Sequence, residues 1–135
     1  MQAAILIEKL KIFPDEIIAR DRIARRYSEG LSDVAITPTV PAGSTSVWAQ
    51  YTLRISGGRR DALAASLKAE GIPTAIYYPT PLHLQQAYKH YPVGKAGVAV
   101  SARLAGEVIS LPMHAYLDEA TQDRIIDTTC RVLKR

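Results

Sequence analysis

Side chains able to do chemistry gather in one stretch of this 135-residue sequence, Ala75-Ile76-Tyr77-Tyr78-Pro79-Thr80-Pro81-Leu82-His83-Leu84-Gln85. Two tyrosines at the end of an expected strand lead into a loop stiffened by Pro79 and Pro81, which presents His83. Stiff loops at strand ends hold polar side chains in place with little further entropy lost on binding. The Tyr78 phenol and the His83 imidazole suit hydrogen bonding to a polyhydroxylated ligand. A structural explanation accounts for the same residues, with the prolines ending a strand and the tyrosines filling a core. The residues alone leave both explanations open.

Elsewhere the signals are weak. His83, His90 and His114 form no i, i+4 pair and have no carboxylate beside them in a ligand pattern, so no metal site is expected. There is no G-x-S-x-G elbow, no P-loop and no G-x-G-x-x-G. Gly57-Gly58 ahead of a helix offers free N–H groups to an anion, but reads more simply as a turn. A single cysteine, Cys130, excludes an internal disulfide, and its place on the inner stripe of the last helix makes it a packing residue. Seventeen basic and thirteen acidic residues give a net charge of +4. The pairs Arg25-Arg26 and Arg59-Arg60 are not interleaved with aromatics and read as solvated faces, so no nucleic-acid partner is expected. No apolar run approaches a membrane span, and the first residues lack the basic leader of a signal peptide. A cytoplasmic location with no membrane contact is the expectation.

The elements that must position the loop follow from periodicity. Val47 to Ile55 alternates, with Val47, Ala49, Tyr51, Leu53 and Ile55 on one face and Trp48 on the other, which predicts a half-buried strand with Trp48 at an edge or a partner surface. Gly57-Gly58 ends it, a helix follows from about Arg60 to Glu70, and Gly71 stops that helix. Ile72 to Tyr78 predicts a second strand closed by Pro79. A short helix is expected around Gln85 to Tyr91, and another capped by Ser101 that carries Leu104, Ala105 and Val108. Ile109 to Leu111 predicts a third strand. Asp118 caps a last helix with a stripe of Ile125, Ile126, Thr129, Cys130 and Leu133, ending in the basic residues Arg131, Lys134 and Arg135. The fold class is α+β: a small two-layer domain of about three short strands with helices on one face, preceded by a long kinked helix.

That leading helix is unusual. Residues 1–30 read as helical with an interruption at Pro14, and Gly30 suits a stop. From Ala3 to Ile7 the apolar side chains surround the helix, as in a helix buried on several sides. No capping residue precedes it. Met1 is therefore expected to lie inside an element of a longer protein whose remaining body covers this surface. A frayed amphipathic terminus is the simpler alternative.

Five segments in order, "MQAAILIEKL", "RIARRYSEGL", "SVWAQYTLRI", "GIPTAIYYPTPLHLQQAY" and "VISLPMHAYLDEATQDRII", resemble the carboxy-terminal part of the DegT/DnrJ/EryC1/StrS family. Those proteins are pyridoxal-phosphate-dependent aminotransferases acting mainly on keto sugars carried on nucleotides. The resemblance implies that residues 1–31 are a helical segment leading from a missing large domain and that 32–135 form the small α/β carboxy-terminal domain. It also implies that the Schiff-base lysine, in an S-F-x-x-x-K-type segment, and a G-x-N-x-R segment lie upstream. Lys9, Lys11, Lys68, Lys89, Lys95 and Lys134 have no such context. This chain is then expected to hold no catalytic residue, to bind no cofactor by itself and to be inactive alone.

On the substrate side the resemblance places His83 near the active-site mouth, facing the sugar or its phosphates, with Tyr78 as the weaker candidate. It implies glutamate as amino donor and a homodimer, with the first helix near the subunit interface. The run "YYPTPLHLQ" is most similar to members that work on UDP-linked amino sugars for surface polysaccharide. The competing expectation is a stand-alone, non-catalytic interaction or regulatory module with the same fold. Such a module would need to cover or replace Ile5, Leu6, Ile7 and Ile12, or bury them in a dimer.

Overall fold

The computed structural model describes residues 2–134. Met1, at the expected start of the leading helix, and Arg135, at the expected basic end of the last one, lie outside the described residues. The chain opens with one helix, α1 (Gln2–Leu31), that passes through Pro14 without a break. Proline removes one helical N–H and frees a carbonyl a turn earlier. Here that turn lies in the exposed half of the helix, where water can satisfy the carbonyl. In the second half Ile23, Ala24, Tyr27 and Leu31 recur at helical spacing and are all buried.

Strand β1 (Tyr51–Arg54) pairs antiparallel with β2 (Val108–Leu111), placing Tyr51 opposite Leu111 and Leu53 opposite Ile109. The expected second strand at Ile72 to Tyr78 contributes one bridge only, Ala75 to Ser110. Pro73 has no N–H to offer a ladder, so pairing cannot extend backwards from Ala75. On the other side Ile36 bridges Arg54. Around this sheet lie α2 (Arg60–Ala69), α3 (Ala99–Glu107) and α4 (Glu119–Leu133). Helix α4 packs against α1 and α2, while α2 touches β2 and α3 touches β1. The core joins Tyr27 and Leu31 of α1, Tyr51 and Leu53 of β1, Leu63 and Leu67 of α2, and Ile125 of α4. The Tyr27 and Tyr51 rings meet at 4.9 Å, and the Tyr27 hydroxyl donates to the Pro112 carbonyl at 3.0 Å. Burial pushes both phenols above their ordinary pKa, which keeps them neutral.

Several local expectations are corrected. Trp48 does not lie on the outer face of a long strand: its φ of 47° is left-handed, which breaks the alternation and turns the indole inward. There its Nε1–H donates to Asp21 at 3.0 Å. Gly30 does not stop α1. A Cβ at that position would come within 2.8 Å of Ile126, so its bareness permits close approach of α1 and α4. Arg60 does not belong to a solvated face: it is buried, and its Nη1 donates at 3.0 Å to the carbonyls of Ala105 and Val108. Arg59 caps α4 by donating to the Leu133 carbonyl at 2.7 Å. Ser101 lies inside α3, whose cap position is Val98. Asp118 caps α4 as expected, accepting from the Thr121 N–H at 2.9 Å.

Candidate functional site

The proline-stiffened loop begins where the sheet lets the chain go. The Ala75 N–H donates to the Ser110 carbonyl at 3.1 Å and the Ser110 N–H donates back at 2.7 Å, fixing the take-off point. Beyond it Tyr77 and Tyr78 are 50% and 74% exposed, with their rings edge to face at 6.0 Å. Within the described residues these tyrosines fill no core. Pro81 fits the extended backbone ahead of a 3₁₀ turn, Leu82–Leu84, which carries His83. That turn is pinned by the Leu84 N–H donating to the Pro81 carbonyl at 2.9 Å, and by the Gln85 side-chain amide donating to the Thr80 carbonyl at 3.0 Å. From Gln85 to Tyr91 the chain forms hydrogen-bonded turns and not the expected short helix.

His83 opens onto a cavity of 420 Å³ walled also by Leu82, Tyr88, Tyr91, Pro92 and Val93. Tyr78 is not among its walls. The sequence-based pair is therefore not brought into one site: the structure joins His83 to Tyr88 and Tyr91, two tyrosines that periodicity assigns to a helix. Their signal in the sequence is chemical and not periodic. Residues 71–106 contain no aspartate or glutamate, while holding four tyrosines, two histidines, two lysines and one arginine. Tyr77 instead borders a separate cleft of 270 Å³ on the sheet, together with Gln50, Thr74, Ser110 and Met113.

The lysines are Lys9, Lys11, Lys68, Lys89, Lys95 and Lys134. All six are exposed, and none borders the two clefts just described. Lys11 is paired with Glu8 on the surface of α1 at 2.7 Å. Among the described residues no three His, Cys, Asp or Glu side chains converge on a common point, and no helix is long and apolar enough to cross a membrane. The Cys130 thiol is held above its ordinary pKa by burial and donates to the Gly30 carbonyl, as a packing residue does.

A second surface stands out at the start of α1. Ile5, Leu6, Ile7, Leu10, Ile12 and Phe13 are each between 39% and 62% exposed, an apolar surface on the first half of α1, whose buried residues all lie in its second half.

Comparison with known proteins agrees over nearly the whole chain. The model of the DegT/DnrJ/EryC1/StrS aminotransferase family matches residues 1–129. UDP-2-acetamido-2-deoxy-3-oxo-D-glucuronate aminotransferase of Pseudomonas aeruginosa is 46% identical over 122 residues, which are 90% of this chain and 33% of that protein. UDP-N-acetyl-3-dehydro-alpha-D-glucosamine 3-aminotransferase of Acidithiobacillus ferrooxidans is 37% identical, covering 98% of this chain and 35% of that one. A crystal structure of a DegT DnrJ EryC1 StrS aminotransferase from Brucella abortus superposes with a TM-score of 0.93 at 54% identity, over 99% of this chain and 35% of that structure. The chain thus spans about a third of the length of the curated relatives it matches.

Proposed function

The chain belongs to the DegT/DnrJ/EryC1/StrS aminotransferase family, and from that premise we propose that it forms the carboxy-terminal small domain of an aminotransferase acting on a UDP-linked keto sugar. Glutamate is the amino donor in this reading, and the amino sugar is made for a surface polysaccharide. Members of the family use pyridoxal phosphate, which supplies an electron sink for moving protons at the amino-bearing carbon. In this reading the residues present here do not complete a site for it, which the exposure of every lysine supports. The lysine that joins the cofactor covalently belongs to the larger part of the protein.

The observation that carries the reading is that this whole fold matches one part of a longer aminotransferase. The role left to this chain is to bind and to shield. His83, held on a pinned 3₁₀ turn, hydrogen-bonds the sugar or its diphosphate; Tyr78, more exposed, is a second donor at the rim. The apolar patch at the start of α1 is the surface that the larger part of the protein, or its second subunit, covers. A free-standing module would carry that patch in water, which disfavours the module reading.

The test pairs intact mass with the DNA upstream of the Met1 codon. A frame continuing upstream through S-F-x-x-x-K and G-x-N-x-R segments is expected, and the protein it encodes should convert glutamate to 2-oxoglutarate with a UDP-3-keto sugar. The 135-residue chain should not do so with added pyridoxal phosphate. Turnover by the short chain, or a longer protein that fails to aminate any UDP-linked keto sugar, would overturn the proposal.

A further inference from the structure

We infer that the cavity beside His83 seats the base of a nucleoside diphosphate on the rings of Tyr88 and Tyr91; this rests on the substrate-side reading of His83 given above. The walls are the first argument. Leu82, Pro92 and Val93 supply apolar surface, the two tyrosines supply ring faces, and His83 supplies the one imidazole. A sugar would leave most of its hydroxyls unmet against such walls, whereas a flat heteroaromatic ring matches them. The rings are free to be used: Tyr88 and Tyr91 are 47% and 62% exposed. They stand 6.5 Å apart with a tilt of 32°, so neither ring covers the other. His90 lies against Tyr91 at 4.3 Å and is not a wall of the cavity, so it backs the ring that Tyr91 offers.

Charge is the second, independent argument. The acid-free run 71–106 carries Lys89 and Lys95 without a carboxylate among them, while its third cation, Arg103, is paired with Glu107 just beyond the run at 3.8 Å. A diphosphate approaching this loop meets no acidic residue of the run, and the charges of Lys89 and Lys95 attract it. The cavity volume of 420 Å³ suits one nucleoside with room for its first phosphate at the mouth. Stacking is indifferent to base identity, because every base has a π-face. The cup therefore anchors the nucleotide without choosing it, and nucleotide discrimination belongs to other residues.

Saturation-transfer NMR on the 135-residue chain with UDP, uridine and pyrophosphate tests this. The H5 and H6 protons of uracil should receive the strongest saturation, and UDP, dTDP and GDP should bind within a few-fold of one another. Tyr88→Ala and Tyr91→Ala should each weaken UDP by about tenfold, whereas Tyr88→Phe and Tyr91→Phe, which keep the ring, should not. Both residues are exposed, so circular dichroism should show all four variants folded. The inference is overturned if saturation falls mainly on ribose, if either alanine variant binds UDP as the parent does, or if the folded chain binds no UDP. The two readings fail separately. Amination by the longer protein without base contact here removes the cup alone; base contact here without amination removes the aminotransferase assignment and leaves a nucleotide site.

Discussion

The two halves of α1 are both rich in apolar residues and meet opposite fates. In the second half Ile23, Ala24, Tyr27 and Leu31 are buried against the sheet and α4; in the first half Ile5, Leu6, Ile7, Leu10, Ile12 and Phe13 lie in solvent. Spacing separates them. The second half places its apolar residues on one stripe, which a single neighbouring layer can cover. The first half distributes them around the helix, so no one-sided contact could bury them, and the described chain supplies no second side. Apolar content thus marks a need for a partner surface, and its angular spread tells how many.

The largest expected effect breaks the second half. Tyr27→Ala removes a fully buried ring from the middle of the core together with its bond to the Pro112 carbonyl. A loss of about 3–5 kcal/mol is expected, read as a lower denaturation midpoint in urea. A smaller loss of ~2 kcal/mol is expected for Arg60→Met, which keeps the volume but strips the Ala105 and Val108 carbonyls of their donor. If Arg60 were the solvated residue its sequence context implies, the midpoint would not move.

Much of this packed region is legible in the sequence, and where the sequence misleads the cause is physical. The second half of α1, the α4 stripe, the Asp118 cap and the strand at Ile109 are signalled by period or by cap chemistry, both local properties. Arg60 reads wrongly because a buried guanidinium depends on carbonyls 45 and 48 residues away, which no local pattern reports. Trp48 reads wrongly because its left-handed backbone ends the alternation ahead of the strand, which starts only at Tyr51, and a periodic pattern does not report that. At the candidate site His83 is legible from its prolines. Tyr88 and Tyr91 are not, since turns have no period and the helical reading of Gln85 to Tyr91 hides their convergence on the same cavity.

A weaker effect concerns acid, and it too belongs to the packed region. The Thr121 N–H and hydroxyl hold the Asp118 carboxyl below its ordinary pKa, and Arg131 with Thr128 does the same for Glu70. A depressed folded-state pKa stabilises above the unfolded value, and the contribution disappears as pH falls through the folded one. Stability should therefore decline below about pH 4. Asp118→Asn keeps a capping oxygen and Glu70→Gln keeps an acceptor, yet neither titrates. Each variant should show a shallower decline in urea midpoint between roughly pH 5 and pH 3. An unchanged slope in both would place the acid sensitivity elsewhere.

The smallest expected effect on stability comes from the first half of α1, and there the contrast is sharpest. Leu6→Ser and Leu10→Ser alter side chains that touch no other element, so the urea midpoint should move by no more than ~0.5 kcal/mol. The same changes remove apolar surface from the exposed patch, and sedimentation velocity should show less association at high concentration than the parent chain shows. A destabilisation approaching that of Tyr27→Ala would mean that the chain covers this half of the helix by itself. Unchanged stability with unchanged association would mean that the patch needs a more specific partner than a second copy. Reduced association at constant stability would identify the first half of α1 as a surface for contact between chains, separable from the core that holds the domain together.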